Sequence, residues 1–180
     1  MKDAALARRC GALKLVLSDV DGVLTDGSLL FLSDGREGHS FNVRDGLAVA
    51  LAHRAGLRTG LLSGRASESV ARRASELGMS VVRQGVTDKG AAFGEILAEQ
   101  RLSGREVAYL GDDVNDLPVM TQAGLSAAPA DAAFEVRAAA FMVLSASGGR
   151  GCLREFVEAI LRARGEWDRL MTEIGVADST

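Results

Sequence analysis

Apolar positions in this chain fall into short runs separated by longer stretches of helical spacing. The runs at 13–18, 57–62, 79–83 and 105–110, with shorter ones near 125–127 and 140–144, have the length of strands. Near-continuous apolar runs of that size read as parallel strands buried on both faces. Between them, 2–11, 46–55, 66–77, 87–100, a short stretch carrying Pro118, 131–138 and 151–164 carry helical patterns. Asp45 is placed to cap the second of these helices, and Gly56 and Gly78 to end the second and third. Strands alternating with helices predict βαβ units: an α/β fold, three-layer α/β/α and Rossmann-like, with a mainly parallel central sheet.

One interval breaks the alternation. Residues 28–33 and 36–42 flank Asp34-Gly35, a dipeptide that favours a tight hairpin turn. The predicted β-hairpin flap, about 27–42, is inserted where the chain should run from the first strand to its helix. Its first arm, Leu29 to Leu32, is apolar, and an exposed apolar edge invites pairing with another chain, so the flap is expected to help build an oligomer. Residues 1–164 read as one domain and 165–180 as a C-terminal tail. In the tail Trp167, Leu170, Met171 and Ile174 share a helical face that suits a core or an interface. Ala177 to Thr180 are expected to be disordered.

Composition narrows the function classes. A net charge of −3 argues against a nucleic-acid footprint, and an aromatic content of 4% argues against stacking platforms for single strands. No apolar run is long enough to span a membrane. Arg8-Arg9 interrupts the N-terminal apolar stretch, which does not read as a signal peptide, and the expected location is the cytoplasm. Cys10 and Cys152 lack metal-ligand spacing and read as small buried residues.

The chemistry gathers at strand ends. The run Leu15-Val16-Leu17-Ser18 stops on Asp19-Val20-Asp21-Gly22. Buried carboxylates are costly unless paired or bound to a metal, so this strand should deliver them into a cleft. A carboxylate can attack phosphorus covalently once a cation neutralises the phosphate, and a second carboxyl can protonate the leaving alcohol and later activate water. Asp19 and Asp21 suit those two roles; an Asx-turn closing the strand is the plainer alternative. Ser63-Gly64-Arg65 follows the next strand, where a hydroxyl and backbone N–H groups could hold a phosphoryl oxygen, or where Ser63 could simply cap a helix. Lys89 opens a helix, where a cation opposes the helix dipole. That misfit suggests a task such as neutralising a phosphoryl group, against the reading of a surface lysine. Gly111-Asp112-Asp113 ends a strand with Asp116 one helical turn on. Such a cluster suits a hard cation, with Asp112 as ligand and Asp113 or Asp116 behind it, although acids at a helix start also compensate its dipole.

Taken together, Asp-x-Asp, then Ser, then Lys, then Gly-Asp-Asp-x-x-Asp resembles the motif order of the haloacid dehalogenase-like phosphatases over about residues 13–160. The resemblance implies Asp19 as nucleophile and Asp21 as acid/base. It implies Mg²⁺ held by Asp19, Asp21 through its backbone carbonyl, and Asp112, with Ser63, Gly64 and Lys89 on the phosphoryl group. It narrows further on Asp19 to Gly27, Phe41-Asn42-Val43-Arg44-Asp45-Gly46, Leu62 to Arg65, Gln84 to Lys89 and Gly148-Gly149-Arg150-Gly151, together with a hairpin in place of a cap domain. These look like the 3-deoxy-D-manno-octulosonate 8-phosphate phosphatase family, whose members are Mg²⁺-dependent homotetramers assembled through their hairpins. The implied substrate is a phosphorylated sugar acid, in lipopolysaccharide precursor synthesis. Arg65 and Arg44 are candidates for its carboxylate, since arginine binds carboxylates in bidentate fashion, and Arg150 for a neighbour's cleft. A nine-carbon sialic-type 9-phosphate and a non-catalytic oligomeric module of the same fold stay open as alternatives.

Overall fold

A computed structural model describes residues 2–175, so the expectation for Ala177 to Thr180 lies outside the described residues. The central sheet is built around β1 (Leu15–Ser18). A hairpin of β2 (Leu30–Phe31) and β3 (Glu37–Gly38) follows it and forms a separate two-stranded sheet. On one side of β1 lie β4 (Arg58–Leu62) and β5 (Val81–Arg83). On the other lie β6 (Val107–Leu110), β7 (Leu125–Ala128) and β8 (Met142–Val143), giving the order β5-β4-β1-β6-β7-β8. Every pairing in this sheet is parallel.

The apolar runs are continuous because both sheet faces are covered. Successive side chains point to opposite faces: Val16, Ala108 and Leu110 enter one core, and Leu15, Leu17, Val107 and Tyr109 enter the other. The first core is closed by α1 (Lys2–Ala12), α2 (Val43–Arg54), α3 (Glu68–Glu76), α7 (Cys152–Ala163) and α8 (Trp167–Glu173). The second is closed by α4 (Lys89–Gln100), α5 (Leu117–Met120) and α6 (Phe134–Ala139). This is the three-layer Rossmann-like fold expected from the alternation.

The chain leaves β1 for β4 and β5, then crosses back to β6 on the other side of β1. A crevice therefore opens beyond the C-terminal ends of β4, β1 and β6, the place where open α/β sheets bind ligands. The register aligns those ends: Ser18 lies beside Leu61 of β4 and Leu110 of β6.

Two local expectations are corrected. The cap of α2 is Asn42, whose side chain accepts a hydrogen bond from Arg44 N at 3.0 Å, so the helix starts earlier than Gly46. Asp45 instead sits in its first turn and points inward, where its Oδ1 accepts from Arg154 N in the first turn of α7 at 2.8 Å. In α8, Trp167 and Leu170 are buried in the first core, and the guanidinium groups of Arg154 and Arg162 lie over the Trp167 ring, 5.2 and 4.6 Å from its centroid. Ile174 is exposed and leaves the stripe to the other three.

Candidate active site

The first motif is shaped by a turn wound on one carbonyl. Asp19 N donates to Leu110 O at 2.9 Å, which holds Asp19 in line with β1. The amides of Val23, Leu24 and Thr25 then all donate to Val20 O, at 3.2, 2.8 and 3.0 Å, and the chain doubles back. Gly22 adopts φ +83°, and a Cβ there would lie 1.9 Å from Asp112 Oδ2. Glycine is needed at this position both for the left-handed backbone and for the close approach of the second acidic motif.

Lys89 and Asp116 tie the motifs together. Asp88 caps α4 by accepting from Ala91 N at 2.9 Å, which sets Lys89 as the first helical residue. Its buried Nζ lies 2.9 Å from Asp19 Oδ2 and 2.7 Å from Asp116 Oδ1. Asp116 is fully buried and its oxygens are all used: Oδ1 also accepts from Tyr109 OH at 2.5 Å, and Oδ2 accepts from Asp112 N at 2.9 Å and Asp113 N at 3.3 Å. Asp113 turns away to the start of the next short helix, where it accepts from Val114 N at 2.7 Å. Between the two acids considered as support for Asp112, Asp116 is therefore the one behind it.

Asp19, Asp112 and Asp116 each offer an oxygen within 4.8 Å of the others. Burial, and then the neighbouring carboxylates, push the pKa of both Asp19 and Asp112 upward. Burial works against the Lys89 ammonium too, but Asp19 and Asp116 together outweigh it and hold its pKa above the ordinary lysine value. One ammonium faces three carboxylates, and Asp112 Oδ1 is buried without a hydrogen-bond partner. An all-oxygen donor set with surplus negative charge and an orphaned carboxylate oxygen fits a hard divalent cation.

A cleft of about 370 Å³ opens over this cluster, lined by Asp19, Asp21, Gly64, Arg65, Asp112 and Asp131 among others. Asp21 stands at its mouth, with Oδ2 3.8 Å from Arg65 Nε. Ser63 is buried at the end of β4, where its Oγ accepts from Arg65 N at 3.2 Å. The glycine loop before α7 packs on the first motif: Gly149 N donates to Val23 O at 2.9 Å and Gly148 N to Asp131 Oδ1 at 2.9 Å.

Residues 32–124 match the hydrolase family described as haloacid dehalogenase-like hydrolase. The chain is 40% identical over 154 residues to 3-deoxy-D-manno-octulosonate 8-phosphate phosphatase of Haemophilus influenzae, covering 86% of each sequence. The chain belongs to this phosphatase family. Solved structures agree with the fold. The Moraxella catarrhalis phosphatase of that name, in complex with magnesium ion, phosphate ion and KDO molecule, superposes with a TM-score of 0.91 at 32% identity, covering 94% of this chain and 97% of that one. A cobalt-bound form of the Haemophilus influenzae enzyme gives 0.88 at 38% identity, covering 93% and 98%. The chain is thus a phosphomonoesterase, and among its described residues no helix is long and apolar enough to cross a membrane.

Within this phosphatase, Asp19, Asp21, Lys89, Asp112 and Asp116 converge, with Gly64 and Arg65 lining the cleft and Ser63 buried behind them, its hydroxyl accepting from Arg65 N. Arg44 does not join them: it lies on α2 and lines a separate cavity with Arg150 and Arg154. Arg150 is 73% exposed and lies 3.8 Å from Asp26, at the outer edge of the cleft. Sequence reasoning missed four participants. Tyr109 is the lone tyrosine of the chain, in a fully buried strand where its hydroxyl required a partner. Asp131 anchors the glycine loop. Glu37 and His39 come from the second arm of the flap; their i, i+2 spacing puts them on one side of that arm. Glu37 accepts from Arg65 Nη2 at 3.0 and 2.9 Å.

Proposed function

We propose that this chain hydrolyses 3-deoxy-D-manno-octulosonate 8-phosphate to the free sugar acid and phosphate through an aspartyl-phosphate intermediate, in lipopolysaccharide precursor synthesis in the cytoplasm. The observation that carries the chemistry is the Lys89 ammonium held between Asp19 and Asp116 beneath the orphaned oxygen of Asp112. The substrate comes from the named relatives, which match over most of the chain.

The cation is Mg²⁺, held by Asp19, Asp112 and the backbone carbonyl of Asp21; when bound it neutralises charge on the phosphoryl oxygens and on the attacking carboxylate. Asp19 attacks phosphorus from its fixed position at the end of β1. Asp21, in its protonated form, gives its proton to the departing ester oxygen, then as carboxylate takes a proton from the water that releases phosphate. Lys89 and the Ser63-Gly64 corner hold the phosphoryl oxygens, and Asp116 with Tyr109 keeps Lys89 in place. Arg65 takes the sugar-acid carboxylate in exchange for Glu37. Arg44 and Arg150 reach substrate only through a neighbouring copy. The exposed Leu29, Leu30, Phe31 and Leu32 of the flap build the homotetramer that closes the site.

Phosphate release from the eight-carbon ester, beside a sialic-type nine-carbon 9-phosphate, tests this reading. A Mg²⁺-dependent preference for the eight-carbon ester supports it; preference for the nine-carbon ester would move the substrate and keep the mechanism. No release from any phosphate ester would favour a non-catalytic module.

A further inference from the structure

We propose that His39 of the flap is the positioning residue that holds the acid/base carboxyl of Asp21, which rests on the reading of Asp21 above. The arm that carries His39 lies at the protein surface, yet the imidazole itself is only 1% exposed, turned beneath the flap toward the cleft. Its Nδ1 lies 2.7 Å from Ser69 Oγ and 3.4 Å from Ser67 Oγ, at the start of α3. With a serine hydroxyl donating to Nδ1, the ring proton sits on Nε2. Nε2 faces two carboxylates, Glu37 Oε1 at 3.3 Å and Asp21 Oδ1 at 3.6 Å. That oxygen of Asp21 is buried and has no hydrogen-bond partner, while Oδ2 faces Arg65 and the cleft.

The geometry therefore divides the two oxygens of Asp21. In the proposed role His39 orients Oδ1, which it faces at 3.6 Å without a hydrogen bond in this structure, and Oδ2 is left to carry the proton toward the ester oxygen as the bond from Asp19 to phosphorus forms and the ester P–O bond breaks. The role requires the flap to sit further inward than here, so that the 3.6 Å separation closes to a hydrogen bond. Because His39 and Glu37 share one arm, docking of the flap and alignment of the acid are the same event. His39 touches neither phosphorus nor the leaving group; it acts through Asp21.

Leaving-group dependence separates this role from a structural one. An alkyl ester such as 3-deoxy-D-manno-octulosonate 8-phosphate needs protonation of its leaving oxygen, whereas p-nitrophenyl phosphate does not. His39→Leu is expected to lower kcat/KM for the alkyl ester about 100-fold, the lower end of what general acid catalysis contributes. The same variant should lower kcat/KM for p-nitrophenyl phosphate less than about 5-fold, which also certifies an intact site. His39→Gln keeps an N–H and should recover most of the loss. Asp21→Asn also removes the base that hydrolyses the aspartyl-phosphate, so its selective defect should be read in the single-turnover release of the leaving group, slowed for the alkyl ester and nearly unchanged for p-nitrophenyl phosphate. If Asp21→Asn discriminates between the esters and His39→Leu lowers both equally, the positioning role is overturned while the acid assignment stands. If Asp21→Asn slows single-turnover leaving-group release equally for both esters, the acid assignment fails and the proposal with it.

Discussion

Lys89 decides the electrostatics of the site at the scale of single residues. Removing one partner of a buried, hydrogen-bonded ionic cluster leaves uncompensated charge. Lys89→Met is accordingly expected to cost about 3 kcal/mol of unfolding free energy without a divalent cation. Denaturant titration checks this, and added Mg²⁺ should restore part of the loss. Asp19→Asn should instead abolish turnover while leaving the fold, because it relieves crowding among three carboxylates; circular dichroism and phosphate release together test it. The raised pKa values of Asp19 and Asp112 mean that protons compete with a cation for the same oxygens. The Mg²⁺ concentration giving half activity should therefore rise as pH falls. Asp19, Lys89 and Asp112 were legible in the sequence because charge at a strand end or helix start violates a local preference. The choice of Asp116 over Asp113 was not, since it depends on how a short 3-10 turn at 114–116 aims two neighbouring carboxylates.

Elements add what single residues do not reveal. The α2 and α7 helices meet where Asp45 caps α7 across the interface, and its Oδ2 is buried without a partner. Burial pushes the Asp45 carboxyl up to about 6, with the Arg154 amide and Arg73 pulling the other way. A folded-state pKa above the ordinary value makes this contribution fully present at acid pH and lost as pH rises through about 6. Asp45→Asn keeps the acceptor for Arg154 N and removes the buried charge. It should match the parent protein near pH 4 and exceed it by about 1–3 kcal/mol at neutral pH, measured by unfolding across that range. Sequence patterning placed Asp45 near a helix start but not its direction, because Asn42 outcompetes it as cap three residues earlier. The flap was legible as a hairpin from Asp34-Gly35 and the apolar first arm. Its second arm carries Glu37 and His39 into the site, which alternation alone does not distinguish from a solvated edge. Leu30 and Phe31 are 58% and 67% exposed, a large apolar surface for a single chain. If the flap builds the proposed homotetramer, replacing both with serine should yield smaller species than the parent protein in sedimentation velocity; an unchanged assembly would remove the flap from the interface.

For the molecule as a whole, the parallel sheet brings Asp19, Ser63 and Asp112 to one rim from three separate strands, with Lys89 supplied from a helix start. That convergence was predictable, because alternating strands and helices leave their C-terminal ends on one side. Arg44 and Arg65 both read as carboxylate-binding candidates in the sequence, since each belongs to a motif; the fold sends Arg44 to another cavity. The most direct test of the central claim is initial-rate phosphate release from 3-deoxy-D-manno-octulosonate 8-phosphate, with Mg²⁺ and with chelator. Rapid release that chelator abolishes and Mg²⁺ restores is the expected result. Release unaffected by chelator would contradict the cation role assigned to Asp112, and no release from this ester while other phosphate esters are cleaved would contradict the substrate.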